Sequence, residues 1–98
     1  MLSMKFHKES LQDRKALLLK TIGSIIKEQR QNSGKGILLH AYEYDIPSSS
    51  LNLIERGMRD PQVTTLWKIA NSYNMSFGEL ITEVEKHLPD KFSLIEDK

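Results

Sequence analysis

The sequence predicts an all-α protein in which five helices form one compact domain. Apolar residues recur at helical spacing in several segments, and glycine, asparagine or proline breaks separate these segments. No segment alternates apolar and polar residues as a half-buried strand does. The length of 98 residues suits one domain with a core large enough to fold unaided.

The first helix is expected over residues 11–31, which contain no proline and a single glycine, Gly23. Its apolar stripe consists of Leu11, Leu17, Leu18, Ile22, Ile25 and Ile26. The stripe fits one long helix or two in series. Gly34 then provides a helix stop, because glycine adopts the left-handed conformation of a helix terminus at little cost.

Two short helices follow the first. One is predicted over residues 37–44 and ends at Asp45-Ile46-Pro47, because the residue before a proline disfavours the helical conformation. The next begins near Pro47 and runs to Arg56, with Leu51 and Ile54 on its inward face. Gly57 ends it.

The fourth helix is expected to open at Gln62 or Thr64 and to end near Asn74. Ser76 and Glu79 form an S-x-x-E capping box that starts a fifth helix, which stops before Pro89. The tail over residues 90–98 retains apolar residues and is expected to dock on the domain, to dock on a partner or to be frayed. The apolar residues at this end are expected to carry dimer contacts, namely Val84, Leu88, Phe92, Leu94 and Ile95.

Composition excludes several classes of protein. Without cysteine, the chain has no disulfide scaffold, thiolate zinc site or iron–sulfur cluster. The apolar residues, 39% of the total, are never continuous for the roughly 18 residues that a membrane span needs. The first residues contain no apolar stretch typical of a secretory signal. A soluble, cytoplasmic protein without membrane association is therefore predicted.

Charge is distributed unevenly along the chain. Residues 1–35 carry a net charge of +5, residues 36–70 of −1 and residues 71–98 of −3, within a total of +1. A basic front and an acidic end suit a protein that presents one end to a polyanion. A solvated charged helix is the alternative explanation.

The break between the second and third helices carries the main functional signal. Two short helices with a tight break, the second ending in Glu55-Arg56-Gly57, have helix-turn-helix geometry. From about residue 21 to residue 83 the sequence resembles the phage-repressor and Cro-like (Xre-type) helix-turn-helix DNA-binding domains. The segments that carry the resemblance are residues 51–57, Asp60-Pro61, residues 65–70 and residues 73–76.

The resemblance implies a compact five-helix, lambda-repressor-like DNA-binding domain whose first helix is extended at its N-terminus. Residues 1–20 are then an N-terminal helical extension, residues 21–83 the helix-turn-helix domain, and residues 84–98 the end of the fifth helix and the tail. In this fold the third helix lies in the DNA major groove. The residues expected to contact DNA are Ser48, Ser49, Asn52, Leu53 and Arg56 on that helix, with Lys35 and Arg59 at phosphates.

Members of the family commonly pair an arginine near the end of the first helix with the glutamate of Glu-Arg-Gly. Counting back without a gap, this arginine corresponds to Arg30, so we predict a structural ion pair between Arg30 and Glu55. The alternative is two exposed charges that never meet.

The sequence departs from the family pattern in the second helix and at one position of the third. Gly36 and Ile37 stand where a glutamine usually holds a phosphate, and Leu53 stands where family members often have a polar base reader. His40 replaces a leucine and is predicted to be a core histidine satisfied by a backbone carbonyl. Trp67, with Tyr73 and Phe77, is interpreted as core packing.

The predicted function is sequence-specific binding of double-stranded DNA by a transcriptional regulator that acts as a homodimer and needs no cofactor or metal. An enzyme is the poorest interpretation, because no nucleophile arrangement, metal motif or phosphate loop is present. Two alternatives remain open. One is a protein-interaction module that has kept the fold, and the other is an antitoxin or controller subunit with a partner protein.

Overall fold

The computed structural model describes residues 10–95. Within this range the chain forms five α-helices and no strand, as predicted: α1 (Leu11–Asn32), α2 (Ile37–Glu43), α3 (Ser48–Glu55), α4 (Val63–Ser72) and α5 (Phe77–Lys86). None of these helices is both long and apolar enough to span a bilayer. The first nine residues of the predicted N-terminal extension and the last three of the tail lie outside the described residues, and the proposed domain division stays a prediction.

The helix ends follow local capping chemistry. The Ser10 hydroxyl accepts a hydrogen bond from the backbone N–H of Asp13 and starts α1. This helix is continuous over 22 residues, a length of about 33 Å. It ends before Gly34, whose φ is +77°. The predicted capping box of α5 is present, with Ser76 and Glu79 bonded to each other's backbone N–H groups.

The core is apolar and draws on all five helices. Its buried members are Ile22, Ile25, Ile26, Ala41, Ile46, Leu51, Ile54, Leu66, Ile69, Ala70, Leu80 and Val84. Burying these side chains is the main source of folding free energy, because α2 to α5 have only 7 to 10 residues each and helices of that length are marginal on their own.

Trp67 departs from the prediction that it packs in the core. Its exposed fraction is 51%, and its ring stacks on that of Phe77 with centroids 4.8 Å apart. Its neighbours Leu66 and Ile69 occupy the inward positions of α4 instead. Tyr73, by contrast, packs against the core as predicted.

Two glycines allow α1 to touch the C-terminal end of α3. A Cβ atom at Gly23 would lie 2.3 Å from the carbonyl oxygen of Ile54 and 2.5 Å from that of Glu55. Gly57, with a φ of +71°, ends α3 against the backbone of Lys20. Only residues without a Cβ atom permit this approach, so the position of α3 depends on backbone contact with α1.

The described part of the tail lies against the first turns of α1. The Arg14 guanidinium donates hydrogen bonds to the backbone carbonyls of Ser93 and Ile95, each at 3.2 Å. The expectation of dimer contacts is wrong for Val84, which is buried in the core, and Leu88 and Phe92 are half-buried within the domain. Leu94 and Ile95 are exposed.

Candidate nucleic-acid interface

A tight turn sets the angle between α2 and α3. Asp45 takes up a left-handed φ of +56°. Ile46 then buries its side chain and donates its N–H to the carbonyl of Ala41 at 2.9 Å. The Lys68 ammonium donates to the Asp45 carbonyl at 3.3 Å and links the turn to α4. Two short helices therefore meet at a turn held by a buried apolar side chain and hydrogen bonds.

One face of α3 is buried and the opposite face is accessible. Leu51 and Ile54 are almost fully buried against the core. Ser49 and Arg56 are exposed on the other side. Asn52, Leu53 and Ser48 are partly exposed, so the five residues predicted to face outward, four on α3 and Arg56 at its C-cap, all retain accessible surface. We call these five residues, Ser48, Ser49, Asn52, Leu53 and Arg56, the α3 face.

Within the α3 face, Arg56 contacts Asn52 one helical turn away. The guanidinium Nη1 lies 3.4 Å from the amide oxygen of Asn52 and donates to it. The contact directs the oxygen toward Arg56 and leaves the NH₂ group of the amide available. The side chain thus keeps two N–H donors that have no partner among the described residues.

Arg59 is held beside α3 by Ser50, a residue that the sequence pattern did not indicate. Its Nη1 donates to the hydroxyl of Ser50 at 3.0 Å. Ser50 lies between the predicted Ser49 and the buried Leu51, and no local signal distinguished it from the two serines before it. The bond holds an exposed guanidinium beside α3.

Arg30 and Glu55 lie together as predicted and make a bidentate ion pair. Arg30 Nε is 2.7 Å from Glu55 Oε2, and Arg30 Nη2 is 2.9 Å from Glu55 Oε1. The exposed fractions of the two side chains are 11% and 2%. Arg30 also donates to the carbonyl of Lys35 at 2.9 Å. One guanidinium therefore joins the end of α1, the loop before α2 and the end of α3.

Acidic groups near the α3 face are largely paired with cations. Glu55 binds Arg30, Glu43 binds Lys35, and Asp60 lies 3.5 Å from the ammonium of Lys15. Arg56 and Arg59, in contrast, make hydrogen bonds only to neutral groups among the described residues. Neither guanidinium is neutralised by a carboxylate among the described residues.

Lys35, expected at a phosphate, is engaged within the domain. Its ammonium pairs with the Glu43 carboxylate and lies 5.5 Å from the centre of the Tyr44 ring. The hydrogen bond to Glu43 raises the pKa of Lys35 above its usual value. A phosphate contact from Lys35 stays a prediction and requires this ion pair to open.

His40 is buried in α2, but its partner differs from the predicted one. Its Nε2 lies 2.9 Å from the hydroxyl of Ser72, not from a backbone carbonyl. The imidazole stacks on Tyr73 with centroids 4.5 Å apart and contacts Tyr44 at 4.7 Å. Burial lowers the pKa of His40, and the charge of Lys35 lowers it further. The side chain therefore links α2 to the end of α4 as a neutral imidazole.

Acidification is expected to destabilise the domain through His40. An unfolded histidine binds a proton below about pH 6.5, whereas the folded imidazole resists protonation. The stabilisation is present above about pH 6.5 and is lost as the pH falls below it, by at most about 1.4 kcal/mol per pH unit. Urea unfolding at pH 7.5, 6.5 and 5.5 measures this slope. In the His40→Leu variant the slope should be shallower, and equal slopes in the two proteins would contradict the assignment.

The outer face of α2 is unusually apolar for a helix in this position. Leu38 and Tyr42 have exposed fractions of 74% and 85%, and Leu39 is also exposed. Gly36 caps the helix without a side-chain hydrogen bond. Neither Gly36 nor Ile37 supplies the polar side chain that the resemblance led us to expect at a phosphate.

Comparison with known proteins supports one family. The profile described as helix-turn-helix matches residues 26–80, from within α1 to the first turn of α5. The HTH-type transcriptional regulator ImmR of Bacillus subtilis (strain 168) is 35% identical over 65 residues, which cover 66% of this chain and 51% of the relative. The HTH-type transcriptional regulator SutR of Escherichia coli (strain K12) is 29% identical over 75 residues, covering 76% of this chain and 42% of the relative.

The chain therefore spans about half the length of the first relative and less than half of the second. No solved structure matches the chain significantly.

Proposed function

Because this chain belongs to the helix-turn-helix family, we propose that it binds double-stranded DNA sequence-specifically and acts as a transcriptional regulator, with α3 in the major groove. The observation that carries the proposal is the α3 face: Leu51 and Ile54 anchor the helix, and polar side chains remain accessible on its other side. The names of the two curated relatives support the regulatory role.

Each residue of the proposed interface has a role that its chemistry suits. Asn52 offers amide donors to a base acceptor, and Arg56 binds a guanine or a phosphate. Ser48 and Ser49 donate to phosphates near the N-terminus of α3. Leu53 contacts a thymine methyl group, and Arg59 binds a phosphate beside the helix.

The proposal extends to assembly and cellular location. A homodimer would place two copies of α3 on a pseudo-palindrome, with half-sites roughly one helical turn apart. The protein would work in the cytoplasm, without a cofactor and without enzymatic activity. Selection from a random duplex library tests the proposal, because a sequence-specific dimer enriches a palindrome. If no sequence is enriched at low salt, the DNA-binding proposal is wrong.

Replacing Arg56 with alanine is expected to weaken binding to the selected duplex by about 1–3 kcal/mol, or roughly 5- to 150-fold. The fold should be unaffected, because the side chain is exposed and its described contact is with Asn52. Titrations at several salt concentrations report the mechanism. If Arg56 binds a phosphate, the slope of log K against log salt becomes shallower by about 0.9.

Lys86→Ala is the matched control for the loss of one positive charge, because this exposed lysine lies on α5 near Glu83. It should leave affinity for the duplex nearly unchanged. Equal affinities of the Arg56→Ala variant and the unaltered protein would remove Arg56 from the interface.

A second candidate function is a protein-interaction module, as in an antitoxin or controller subunit. The exposed apolar side chains of Leu38, Leu39 and Tyr42 favour it, because contiguous apolar surface is typical of partner contacts. Retention on duplex DNA discriminates the two functions. A module without base reading shows no retention even at low salt, whereas a DNA-binding protein loses affinity steeply as salt rises. Co-purification of a second chain would support the controller subunit.

A further inference from the structure

Lys35 is the single lysine or arginine in the sequence between Arg30 and Arg56. This stretch contains α2, the turn and α3. Gly36 and Ile37, which follow Lys35, have no polar side chain that could bind a phosphate. The formal positive charge that this stretch can offer to DNA therefore depends on the Lys35 ammonium.

The main chain of Lys35 is fixed, and its side chain is turned along α2. Arg30, which is held by the buried carboxylate of Glu55, donates to the Lys35 carbonyl at 2.9 Å. The Lys35 ammonium binds the carboxylate of Glu43, which is the last of the seven residues of α2. The side chain therefore runs from the loop before α2 toward the C-terminal end of this helix.

The ring of Tyr44 provides a second contact for the ammonium. The Lys35 nitrogen lies 5.5 Å from the centre of this ring, within the range of a cation–π contact. The ring itself packs against the buried imidazole of His40, with centroids 4.7 Å apart. A carboxylate and an aromatic face therefore hold the ammonium together.

The ion pair between Lys35 and Glu43 remains accessible to a competing anion. The exposed fractions of the two side chains are 31% and 38%. Ion pairs with this much exposure are weak, and a DNA phosphate offers the ammonium an anionic oxygen acceptor as a carboxylate does. The carboxylate and a phosphate repel each other, so the ammonium does not bind both at full strength. Glu43 therefore occupies the position on Lys35 that a phosphate would take.

We propose that Glu43 competes with DNA for the Lys35 ammonium and thereby limits the affinity of this protein for duplex DNA. The inference rests on the proposed DNA-binding function and adds to it a residue that sets the strength of binding. Phosphate contacts carry no direct sequence information. Glu43 therefore acts on affinity and not on the choice of base sequence.

Glu43→Gln removes the negative charge and keeps the length of the side chain. The variant is expected to bind duplex DNA about two- to fivefold more tightly, because an exposed ion pair no longer has to open. Since Lys35 then neutralises one further phosphate, the slope of log K against log salt should become steeper by about 0.9. The gain should be equal for the selected duplex and for a duplex of unrelated sequence.

Glu83→Gln is the matched control, because Glu83 on α5 lies 3.8 Å from the ammonium of Lys86 and its side chain is 39% exposed. It should leave the affinity for DNA nearly unchanged. In a Lys35→Ala background, Glu43→Gln should have no larger effect than Glu83→Gln, because the ammonium that it releases is gone. A gain of the same size with and without Lys35 would overturn the proposal, since net charge alone would then explain it.

The ion pair can also be tested without DNA. The hydrogen bond to Glu43 raises the pKa of Lys35. The ¹³C resonance of the Lys35 ε-carbon should therefore titrate at lower pH in Glu43→Gln than in the unaltered protein. An unchanged titration would show that the pair does not form in solution, and the proposal would be wrong.

The DNA titrations separate this inference from the function on which it rests. If no variant is retained on duplex DNA at low salt, the proposed function is wrong and the inference falls with it. If the unaltered protein binds duplex DNA and Glu43→Gln binds it no more tightly than Glu83→Gln, only the inference is overturned. Thermal unfolding of each variant checks that the fold is intact.

Discussion

Replacing Glu55 with alanine is expected to lower the free energy of unfolding by about 3–5 kcal/mol, because the Arg30 guanidinium is then left without its countercharge. The pair is bidentate, and both side chains are nearly inaccessible to solvent. Water therefore cannot readily replace the lost carboxylate. For a domain of this size a loss of 3 kcal/mol corresponds to a fall in melting temperature of more than about 10 °C.

The double variant Arg30→Met with Glu55→Met is the control for this prediction. Replacing both partners with apolar residues of similar volume removes the uncompensated charge, so most of the stability should return. Urea unfolding of the unaltered protein, the single variants and the double variant measures the coupling between the two residues. Exposed ion pairs contribute at most about 1 kcal/mol to stability. If Glu55→Ala changes the free energy of unfolding by less than this, the pair contributes no more than a surface ion pair.

Gly23→Ala is the second substitution with a large expected effect. Helix propensity alone predicts that alanine stabilises the interior of α1 by about 1 kcal/mol. The new Cβ atom, however, would lie 2.3–2.8 Å from the backbone carbonyl groups of Ile54 and Glu55 at the end of α3. These are not flexible side-chain ends, so the two helices must separate. We expect a net loss of about 3 kcal/mol or more, at the upper end of the cost of overpacking.

Gly78→Ala is the matched control, because Gly78 lies in α5 and a Cβ atom there would meet only the Ser76 hydroxyl, at 3.8 Å. This variant should be as stable as the unaltered protein or more stable by up to about 1 kcal/mol. Thermal unfolding of the two variants compares the same substitution in two helices. A stabilised Gly23→Ala variant would show that α1 and α3 do not approach this closely.

Both substitution sites contact the end of α3, so a change in stability there is expected to affect the proposed function as well. Gly23 and the Arg30–Glu55 pair both act at the end of α3, one through backbone contact and the other through charge. Displacing this end would reorient the α3 face. Partial loss of DNA binding in a still-folded variant at either position is therefore an expected secondary effect.

The helices themselves could be predicted from local patterns. The predicted start of α5 at its capping box agrees with the structure, as does the end of α1 before Gly34. The resemblance to the repressor family led to Arg30 and Glu55, whose side chains are 25 positions apart in sequence and meet in the fold. The outward orientation of the α3 face followed from Leu51 and Ile54, because the helical period alone assigns the two faces of so short a helix.

Other features of the site depend on contacts that no local pattern encodes. Lys35 and His40 each bind a residue of another segment. The Arg59–Ser50 hydrogen bond and the contact of α1 with α3 at Gly23 likewise join separate segments. Trp67 has the spacing of a core residue and is nevertheless half exposed, because Leu66 and Ile69 occupy the inward positions of α4.

The sequence by itself determined the order and approximate ends of the helices and which face of α3 carries polar residues, but it left open whether the first helix is one or two. These properties depend on interactions between residues within a few positions of one another, which periodicity and capping report directly. Apart from the Arg30–Glu55 pair, only the tertiary structure decided which charges are neutralised, which polar atoms of the described residues are buried without a partner and which glycine is a contact point between helices. Those outcomes depend on distances between segments far apart in the chain, and packing sets such distances only when all five helices are in place.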